Sequence, residues 1–224
     1  MPGISVEEAI RSRRSVRGFL PDPVTQAQVE RLLDLAARAP SGTNMQPWRV
    51  VALAGAELAR FTGGVVAAQR AGEAGPERTY YPRPVPEPYL SRRRQVGWDL
   101  YGLLGIARGE REKAQAHLEN NLRFFGAPVG LICLIDRTLE LGSWLDYGMF
   151  LENLCLAARE EGLDTCPMAA FADYPAAIRR LLDLPESELI VCGVALGRAD
   201  PAAPANALRT TRVPARAFAG FRGF

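Results

Sequence analysis

The chain has 224 residues, of which 48 % are hydrophobic and 23 % are charged, and its formal net charge is +2. That composition is typical of a soluble globular protein, and the small net charge gives no general reason to expect nucleic-acid binding. The only histidine is His117, so neither a histidine-based metal cluster nor a Ser-His-Asp triad with a second histidine is expected. Any chemistry should therefore come from a bound cofactor or from carboxylates.

The four cysteines, Cys133, Cys155, Cys166 and Cys192, lie far apart among apolar residues and form no C-x-x-C pair. Buried free thiols in a reducing compartment are therefore expected instead of a metal site or disulfides. The start of the chain lacks the basic-then-apolar pattern of a secretory signal, and no stretch approaches the roughly 18 apolar residues of a membrane helix. These features predict a cytoplasmic protein with no bound metal and no membrane partner.

The N-terminal part of the chain predicts two helices, a strand and a third helix, in that order. Ser5 followed by Glu8 has the spacing of a capping box and begins a short helix. Thr25 caps a clearer helix with apolar residues at 29, 32, 33 and 36, which Pro40 should end. The segment "WRVVAL" then predicts a strand, and a helix should begin near residue 55.

Residues 70–95 interrupt this order because they hold five prolines and three tyrosines. Proline disfavours both a helix interior and a central strand, so the segment is expected to form an extended arm or lid. Long segments of this kind inside a compact domain are usually either functional or disordered.

After the arm, two helices are predicted near residues 95–105 and 110–124. The next segment, "PVGLICLID", predicts a strand whose continuous apolar run indicates burial on both faces. Further along, "LDTCPMAA" predicts a short strand and "YPAAIRRLLDL" a helix with Leu181 and Leu182 directed inward. The last element is a strand in "ELIVCGVALG".

Residues 144–160, "WLDYGMFLENLCLAARE", carry apolar side chains around nearly the whole helix circumference. A helix that is apolar all round must be buried on every side. In a chain of this size, this favours a second subunit as part of the cover, and a helix in the core of a monomer is the alternative. About four strands among six or more helices predict an α/β or α+β fold in one domain, residues 1–224, with 198–224 as a C-terminal extension.

Three polar clusters stand where the helix and strand patterns break, and no G-x-G-x-x-G or G-x-x-x-x-G-K-[ST] loop competes with them. In "RSRRSVRGF", Arg13, Ser15 and Arg17 alternate, so in an extended conformation they face one way. Two guanidinium groups beside a hydroxyl form a good phosphate cradle, although a basic helix C-terminus is the alternative. Near the other end of the chain, "NALRTTRVP" brings Arg209 and Arg212, which can meet the same anion.

The remaining cluster, "PSGTNMQPW", holds more hydrogen-bonding groups than a connector needs. A planar heterocycle with carbonyl and ring N–H groups requires such a mixture of donors and acceptors. The alternative is a helix C-terminus closed by Gly42.

Five segments, in their order and spacing, resemble the FMN-dependent nitroreductase family: "RRSVRGF", "PSGTNMQPWRV", "FFGAPVGLICLID", "TCPMAAFADYP" and "VCGVALGRADPAAPANALRTTR". The arm followed by "SRRRQVGWDLYGLLGI" is similar to the nitrobenzoate-reductase-type branch, and the match spans essentially the whole chain. The resemblance implies an α+β, nitroreductase-like fold with a central, mostly antiparallel sheet flanked by helices. It also implies an intertwined homodimer with two FMN molecules at the interface, each touched by both subunits.

The resemblance assigns cofactor-binding residues to this chain position by position. The motif for the FMN phosphate, the ribityl chain and the N1/O2 edge of the ring corresponds to Arg13, Arg14, Ser15 and Arg17. The loop contributed by the partner subunit corresponds to Pro40, Ser41, Gly42, Asn44 and Gln46. The strand end whose backbone N–H groups approach N5 and O4 corresponds to Pro167, Met168, Ala169 and Ala170. The C-terminal phosphate contacts correspond to Arg209 and Arg212.

The correspondence with the family is ambiguous at one position and departs from the family pattern at another. The family places an asparagine before the second predicted strand, and either Asn120 or Asn121 fits. Asn120 shares a helix face with Arg123, whereas the branch pattern favours Asn121. Some relatives carry glutamate where this chain has Ala169, but the implied contact is a backbone N–H, so flavin binding should survive.

The implied mechanism is ping-pong: NAD(P)H reduces the flavin and leaves, and a nitroaromatic, quinone or similarly flat small molecule then takes the electrons in the same place. No side-chain acid or base is assigned, and Arg17 is expected to stabilise the negative charge of the reduced flavin. One alternative is another flavin chemistry on the same fold, either flavin fragmentation or reductive dehalogenation. Another is a flavin-binding protein without catalysis.

Candidate contacts to the acceptor lie in the arm, in the helix after it and at the ring edge. Aromatic rings would sandwich a flat acceptor, and an arginine would pair with a carboxylate such as that of a nitrobenzoate. The candidates are Tyr80, Tyr81, Arg94, Trp98 and Phe171, with Arg92, Arg93 and Tyr101 nearby. The alternative is an arm that only wraps the partner subunit, and the choice between NADH and NADPH stays open.

Overall fold

The computed structural model describes residues 4–224, and within them seven helices surround one four-stranded sheet. The strands are β1 (Arg49–Ala54), β2 (Val129–Asp136), β3 (Asp164–Met168) and β4 (Glu188–Gly197). The helices are α1 (Val6–Ser12), α2 (Gln26–Ala36), α3 (Gly55–Arg70), α4 (Tyr89–Leu103), α5 (Arg111–Leu122), α6 (Leu141–Glu160) and α7 (Pro175–Leu182). This is the α+β class expected from the sequence.

The sheet has the order β1-β2-β4-β3, and each neighbouring pair is antiparallel. β2 and β4 are central and are buried along almost their whole length, as their continuous apolar sequences predict. Alternate residues of these strands enter two separate cores because successive side chains point to opposite faces of a sheet. Ile132 packs on one face and Leu131 on the other.

Each face of the sheet is covered by a different set of helices. On one face, α3 and α7 pack with the turns that follow α5 and β3, and three stacked rings form the centre of this core. On the other face, α2 and α6 pack against the strands, and Trp48 stacks on Phe150 at 5.0 Å between ring centroids. The sheet thus lies between α3 and α7 on one side and α2 and α6 on the other.

Two predicted boundaries were wrong. α2 ends at Ala36 and not at Pro40, because the chain continues from Ala37 to Ala39 as hydrogen-bonded turns. The helix expected near residue 95 begins at Tyr89, directly after the last proline of the arm, since residues 89–103 contain no proline. The extended part of the arm is therefore shorter than residues 70–95.

Helix α6 is apolar on more sides than this chain covers. Its inner side, with Tyr147, Phe150 and Leu154, is fully buried against the sheet. Leu141 and Leu145 on the outer side are 82 % and 69 % exposed. In the single chain, the outer side of α6 therefore carries an exposed apolar stripe.

Neither a membrane helix nor a metal site is found among residues 4–224. None of the helices there combines the length and the apolar character that crossing a bilayer requires. No group of three or more histidine, cysteine, aspartate or glutamate side chains in that part of the chain could hold a metal ion.

Candidate functional site

A cavity of about 690 Å³ lies where the two ends of the chain meet, and we call it the arginine cavity. Seven arginines line it against a single glutamate, Glu152, so its lining is strongly positive. The arginines come from α1 and the segment after it, from α6 and from the C-terminal segment: Arg11, Arg13, Arg14, Arg17, Arg159, Arg209 and Arg212. The structure therefore brings the predicted arginines of both chain ends to one site.

The N-terminal arginines reach the cavity because α1 ends in an extended segment. Arg13 leaves the helix with φ −59° and ψ 130°. Ser15 then pairs with Thr165 of β3, and the N–H of Val16 donates to the Thr165 carbonyl at 3.1 Å. Val16 is fully buried, whereas its neighbours Ser15 and Arg17 line the cavity, as the alternation in an extended chain requires.

The C-terminal segment is fastened to this site by Asn206, which is buried. Its Oδ1 accepts a hydrogen bond from the Arg17 N–H at 2.7 Å. Its Nδ2 donates to the carbonyls of Gly18 and Asp200 at 2.8 Å and 2.9 Å. Gly18 allows this close approach, since a Cβ there would lie 2.4 Å from the Cβ of Ala203.

The positive charge of the arginine cavity is only partly balanced by the protein. Arg159 pairs with Asp164 at 2.6 Å, and Arg13 lies 3.5 Å from the carboxylate of Glu152. Arg14 Nε is buried and has no hydrogen-bond partner among residues 4–224. Because a buried donor without an acceptor is costly, the cavity fits an anion with several oxygen atoms, such as a phosphate.

A second cavity, of about 760 Å³, lies between residues 76–85 and the turn after β3, and we call it the arm cavity. Tyr80 and Tyr81 contribute two rings whose centroids are 5.3 Å apart. The turn contributes Ala169 and Ala170, the positions predicted to lie against the flavin ring. The charged lining residues are Glu77, Arg78, Arg83, Arg93 and Asp173.

The arm is tied to the body of the protein at two points. Glu77 accepts hydrogen bonds from Arg179 at 2.6 Å and from Arg137 at 2.8 Å. Burial acts to raise the pKa of Glu77, but these two guanidinium groups outweigh it and hold the pKa below its usual value. Three residues further on, the Tyr80 hydroxyl donates to the Val191 carbonyl of β4 at 2.8 Å. The arm is therefore an ordered wall of its cavity.

Strand β3 joins the two cavities. Thr165 pairs with Ser15 at the arginine cavity, and Met168 at the other end is followed by Ala169 and Ala170 in the arm cavity. The four steps from Thr165 to Ala169 cover about 13 Å. A ligand with an anionic end and a planar end can thus lie along β3, with its anion among the arginines and its ring beside the arm.

The loop 41–46 lines neither cavity of its own chain. It rests on α6, where the N–H of Gly42 donates to the buried carboxylate of Asp146 at 3.0 Å. Its polar side chains are largely exposed. Three residues other than glycine hold positive φ angles there, which is uncommon and indicates a specific conformation: Thr43, Asn44 and Gln46.

Several other predicted site residues lie outside both cavities. Asn120 and Asn121 are in the last turn of α5, where Asn121 Nδ2 donates to the Leu118 carbonyl at 3.2 Å. On α4, Trp98 is 66 % exposed and lines neither cavity, and neither does Arg94. The same holds for Pro40, Pro167 and Met168.

Phe171 requires a correction. It was predicted to contact the substrate at the ring edge, but its side chain is fully buried. The ring stacks on Phe124 at 4.6 Å and on Phe61 at 6.1 Å. Gly193 of β4 makes room for it, since a Cβ there would lie 2.3 Å from the ring. Phe171 is thus a core residue and is removed from the substrate candidates.

Sequence reasoning missed Asn206, Glu77 and Arg83. Asn206 stands in a turn-rich tail without periodicity, and its role depends on a partner 189 residues away. Glu77 and Arg83 lie in the arm, where proline removes any regular pattern. Adjacent side chains on a helix point in directions that differ by about 100°. On α4, Arg93 therefore lines the arm cavity and Arg94 does not.

Nearby titratable groups are held in uncharged forms. Burial raises the pKa of both Cys155 and Cys166 to about 11, so these thiols stay protonated near neutral pH. His117 packs between Tyr101 and Phe125, and burial, followed by the charge of Arg17, lowers its pKa. These groups therefore do not supply a thiolate or an imidazolium.

Comparison with known proteins gives concordant similarities. A family model described as "Nitroreductase family" matches residues 10–198. The chain is 38 % identical to a nitrobenzene nitroreductase from Ectopseudomonas oleovorans over 96 % of both chains. It is 39 % identical to a 4-nitrobenzoate reductase from Pseudomonas putida over 97 % of this chain and 96 % of the relative. A crystal structure of FMN and NADPH-dependent nitroreductase NfnB from sphigopyxis sp. strain HMH superposes with a TM-score of 0.95 at 38 % identity, covering 99 % of this chain and 100 % of that one.

Proposed function

The chain belongs to the nitroreductase family, and on that premise we propose that it is an FMN-dependent oxidoreductase that passes electrons from NAD(P)H to a nitroaromatic or similarly flat acceptor. The observation that carries this proposal is the placement of an arginine cavity and an aromatic-walled cavity at opposite ends of β3. FMN has a phosphate at one end and a planar ring system at the other, which matches this arrangement.

In the proposed complex, the phosphate lies in the arginine cavity and the flavin ring reaches the turn after β3. Arg13, Arg14, Arg209 and Arg212 would bind the phosphate, and Arg14 Nε would gain the acceptor that residues 4–224 do not provide. Ser15 binds the ribityl chain. The ring would lie against residues 167–170, where the backbone N–H groups of Ala169 and Ala170 would bind its polar edge.

Arg17 and one asparagine of α5 complete this part of the proposed site. Arg17 lies beside the N1/O2 edge of the ring, where its charge stabilises the reduced cofactor. Asn120 and Asn121 both stay candidates for the amide contact. The single chain does not distinguish between them, because neither lines either cavity.

When bound in this site, FMN would supply the redox chemistry, a two-electron relay between NAD(P)H and the acceptor. The net first reduction consumes one NAD(P)H, one proton and one nitro group and yields NAD(P)+, a nitroso group and water. The protein binds and orients the cofactor and the substrates and stabilises negative charge on the cofactor. It needs no side-chain acid or base. The low pKa of His117 and the high pKa of Cys166 are consistent with that division of roles. We propose NADPH as the donor, the one named for the solved relative.

The proposed assembly is a homodimer in which each subunit completes the other's site. The exposed stripe of α6 runs from Leu141 and Leu145 to Glu152, which already lines the arginine cavity. A two-fold axis across this stripe places the Asp146 region of one helix near the Glu152 region of its partner. The loop 41–46, which rests on Asp146, would then reach the partner's cavity and supply Ser41, Asn44 and Gln46 to its flavin.

We also propose that residues 1–224 form one domain and that the protein is cytoplasmic. The four cysteines are free and buried, which suits a reducing compartment.

The test of this function is the visible spectrum of the purified protein. We expect a yellow protein whose flavin absorbance bleaches when NADPH is added without oxygen and returns when 4-nitrobenzoate or nitrobenzene follows. Product analysis should give the reduced nitrogen compound and intact flavin; fragmented flavin or released halide would indicate a different flavin chemistry. A colourless protein that takes up no added FMN would refute the proposal.

A further inference from the structure

The arm cavity carries an excess of positive charge that the proposed function does not explain. Among residues 4–224, no carboxylate oxygen lies within 4.0 Å of a nitrogen of Arg78, Arg83 or Arg93. Glu77 is already neutralised by two arginines outside the cavity. Asp173 is the remaining carboxylate in the lining.

The three arginines differ in what they do. Arg78 is engaged elsewhere, since its guanidinium lies over the Trp144 ring at 6.0 Å and donates to the Arg137 carbonyl at 3.4 Å. Arg83 acts on Asp173, where its charge opposes the rise in pKa that burial causes. Arg78 and Arg93 thus both lack a carboxylate partner, but Arg78 is held by Trp144 and the Arg137 carbonyl, which leaves Arg93 as the arginine of the cavity that is available to a ligand.

Arg93 is also placed beside a flat surface. Its guanidinium carbon lies 5.9 Å from the centroid of the Tyr81 ring. Tyr81 is 57 % exposed, so one part of its ring can still be covered by a planar molecule. On the side opposite the arm, the cavity is lined by Ala169 and Ala170. Their small side chains leave room for a ring between this turn and the arm.

We infer that the arm cavity is the acceptor site and that Arg93, with Tyr81 beside it, selects aromatic acceptors that carry a carboxylate. The inference rests on the proposed function, because it places the acceptor next to the flavin ring. The comparisons leave this choice open, since the relatives named for nitrobenzene and for 4-nitrobenzoate are 38 % and 39 % identical to this chain. A bidentate guanidinium–carboxylate contact supplies the discrimination.

The test compares Arg93→Gln with Arg94→Gln, a neighbouring arginine on the same helix that lines neither cavity. In the flavin-loaded enzyme, we expect Arg93→Gln to raise KM for 4-nitrobenzoate about tenfold or more, as loss of a charged hydrogen bond predicts. KM for nitrobenzene should change less than about twofold, and Arg94→Gln should leave both values unchanged. The dissociation constant of benzoate, measured by calorimetry on the oxidised protein without turnover, should rise in parallel.

Three results would overturn the inference: equal losses for both acceptors, equal effects of the two variants, or unchanged benzoate binding in Arg93→Gln. A rise in KM for NADPH but not for NADH, with benzoate binding intact, would instead assign Arg93 to the donor's phosphate and also overturn it. Bleaching of the flavin by NADPH tests the proposed function separately. If the wild-type protein bleaches but binds benzoate no better than Arg93→Gln does, only the acceptor inference fails.

Discussion

The buried side-chain amide of Asn206 holds the C-terminal segment against the segment that follows α1. Two of its three hydrogen bonds join the C-terminal segment to Arg17 and Gly18, and thereby join the N-terminal and C-terminal parts of the arginine cavity, while the third holds the segment to Asp200. Asn206→Ala leaves the Arg17 N–H without an acceptor, which costs about 1–3 kcal/mol of unfolding free energy. We expect this variant to bind FMN more weakly than the wild type, measured by fluorescence titration of the apoprotein.

The matched control for that variant is Asn153→Ala on α6, since the Asn153 side chain makes one long bond, 3.5 Å, to the Ala36 carbonyl. It should change neither the unfolding free energy nor FMN binding by a comparable amount. If both alanine variants bind FMN as tightly as the wild type, Asn206 has no part in forming the cavity.

Arg17 is expected to act on the electron transfer and less on cofactor retention. Arg17→Ala should keep part of its FMN through the other arginines of the cavity, yet reduction by NADPH should slow, because a cation that stabilises the reduced flavin is lost. The midpoint potential of the bound flavin should fall for the same reason, and stopped-flow absorbance and redox titration measure the two effects.

Arg17→Lys keeps the charge and should recover part of both properties. Unchanged reduction in Arg17→Ala with full FMN occupancy would remove Arg17 from the mechanism.

For single residues, the sequence predicts where charged side chains gather better than it predicts which side chains pack together. Arg13, Ser15 and Arg17 were recognisable because their alternation has a direct geometric meaning in an extended chain. Phe171 was misplaced because an aromatic residue after a strand suits a ring edge as well as a core. Only the neighbouring glycine on β4, which is far away in the sequence, decides between the two.

At the scale of the element, the arm depends on a charged anchor and not on regular structure. The sequence predicted an extended, proline-rich segment, and this is what residues 71–88 form. It did not predict the anchor, because Glu77 gains its meaning from Arg137 and Arg179, which lie about 60 and 100 residues later. The start of α4 was misjudged for a related reason: an arginine-rich run after prolines has weak apolar periodicity.

Glu77→Gln should loosen the arm and destabilise the protein. It removes the main carboxylate partner of the buried Arg179, and a loss of about 2 kcal/mol in unfolding free energy is expected. KM for the acceptor should rise because the arm forms the wall of the acceptor cavity. Glu186→Gln is the control, since that side chain is 85 % exposed and lies 3.6 Å or more from the same arginines.

The stability difference between the wild type and Glu77→Gln should depend on pH. Since the pKa of Glu77 is lower in the folded protein than its usual value of 4.5, its contribution to stability is present above pH 4.5 and is lost as the pH falls through the lowered value. The difference between wild type and Glu77→Gln in denaturant unfolding should therefore shrink in acid. A difference that stays constant down to pH 3 would show that its ionisation is not what stabilises the arm.

For the molecule as a whole, the proposed dimer would make α6 the link between assembly and cofactor binding. The sequence indicated a helix with apolar residues around its circumference over residues 144–160, and in the single chain Leu145, with Leu141 one turn earlier, is exposed. That a second subunit covers these residues stays a prediction. The fold class and the four strands were also predictable, since long apolar segments in a strict order leave few arrangements. The pairing order β1-β2-β4-β3 and the two-cavity site were not, because they arise from contacts between distant segments.

Leu145→Asp should separate the proposed dimer, because it places a charge in the centre of the apolar stripe. Sedimentation should give a mass near 24.4 kDa, that of one chain, and FMN should be lost on gel filtration because the partner's loop 41–46 is withdrawn. Leu118→Asp on α5 is the control, since this leucine is 48 % exposed on the opposite face of the sheet. Far-UV circular dichroism checks that both variants are folded.

A Leu145→Asp protein that stays dimeric and yellow would place the interface elsewhere. A monomeric variant that retains all of its FMN would show that one chain suffices for the site.

The arginine cavity combines residues 10–17, Glu152 and Arg159 of α6, Val96 of α4 and residues 208–212, and Asn206 joins the first and last of these segments. A protein clipped before Asn206 would keep every strand of its sheet, because β4 ends at Gly197, but it would lose Arg209 and Arg212 from the cavity. Such a clipped protein should stay folded and yet release whatever anion the arginines had held.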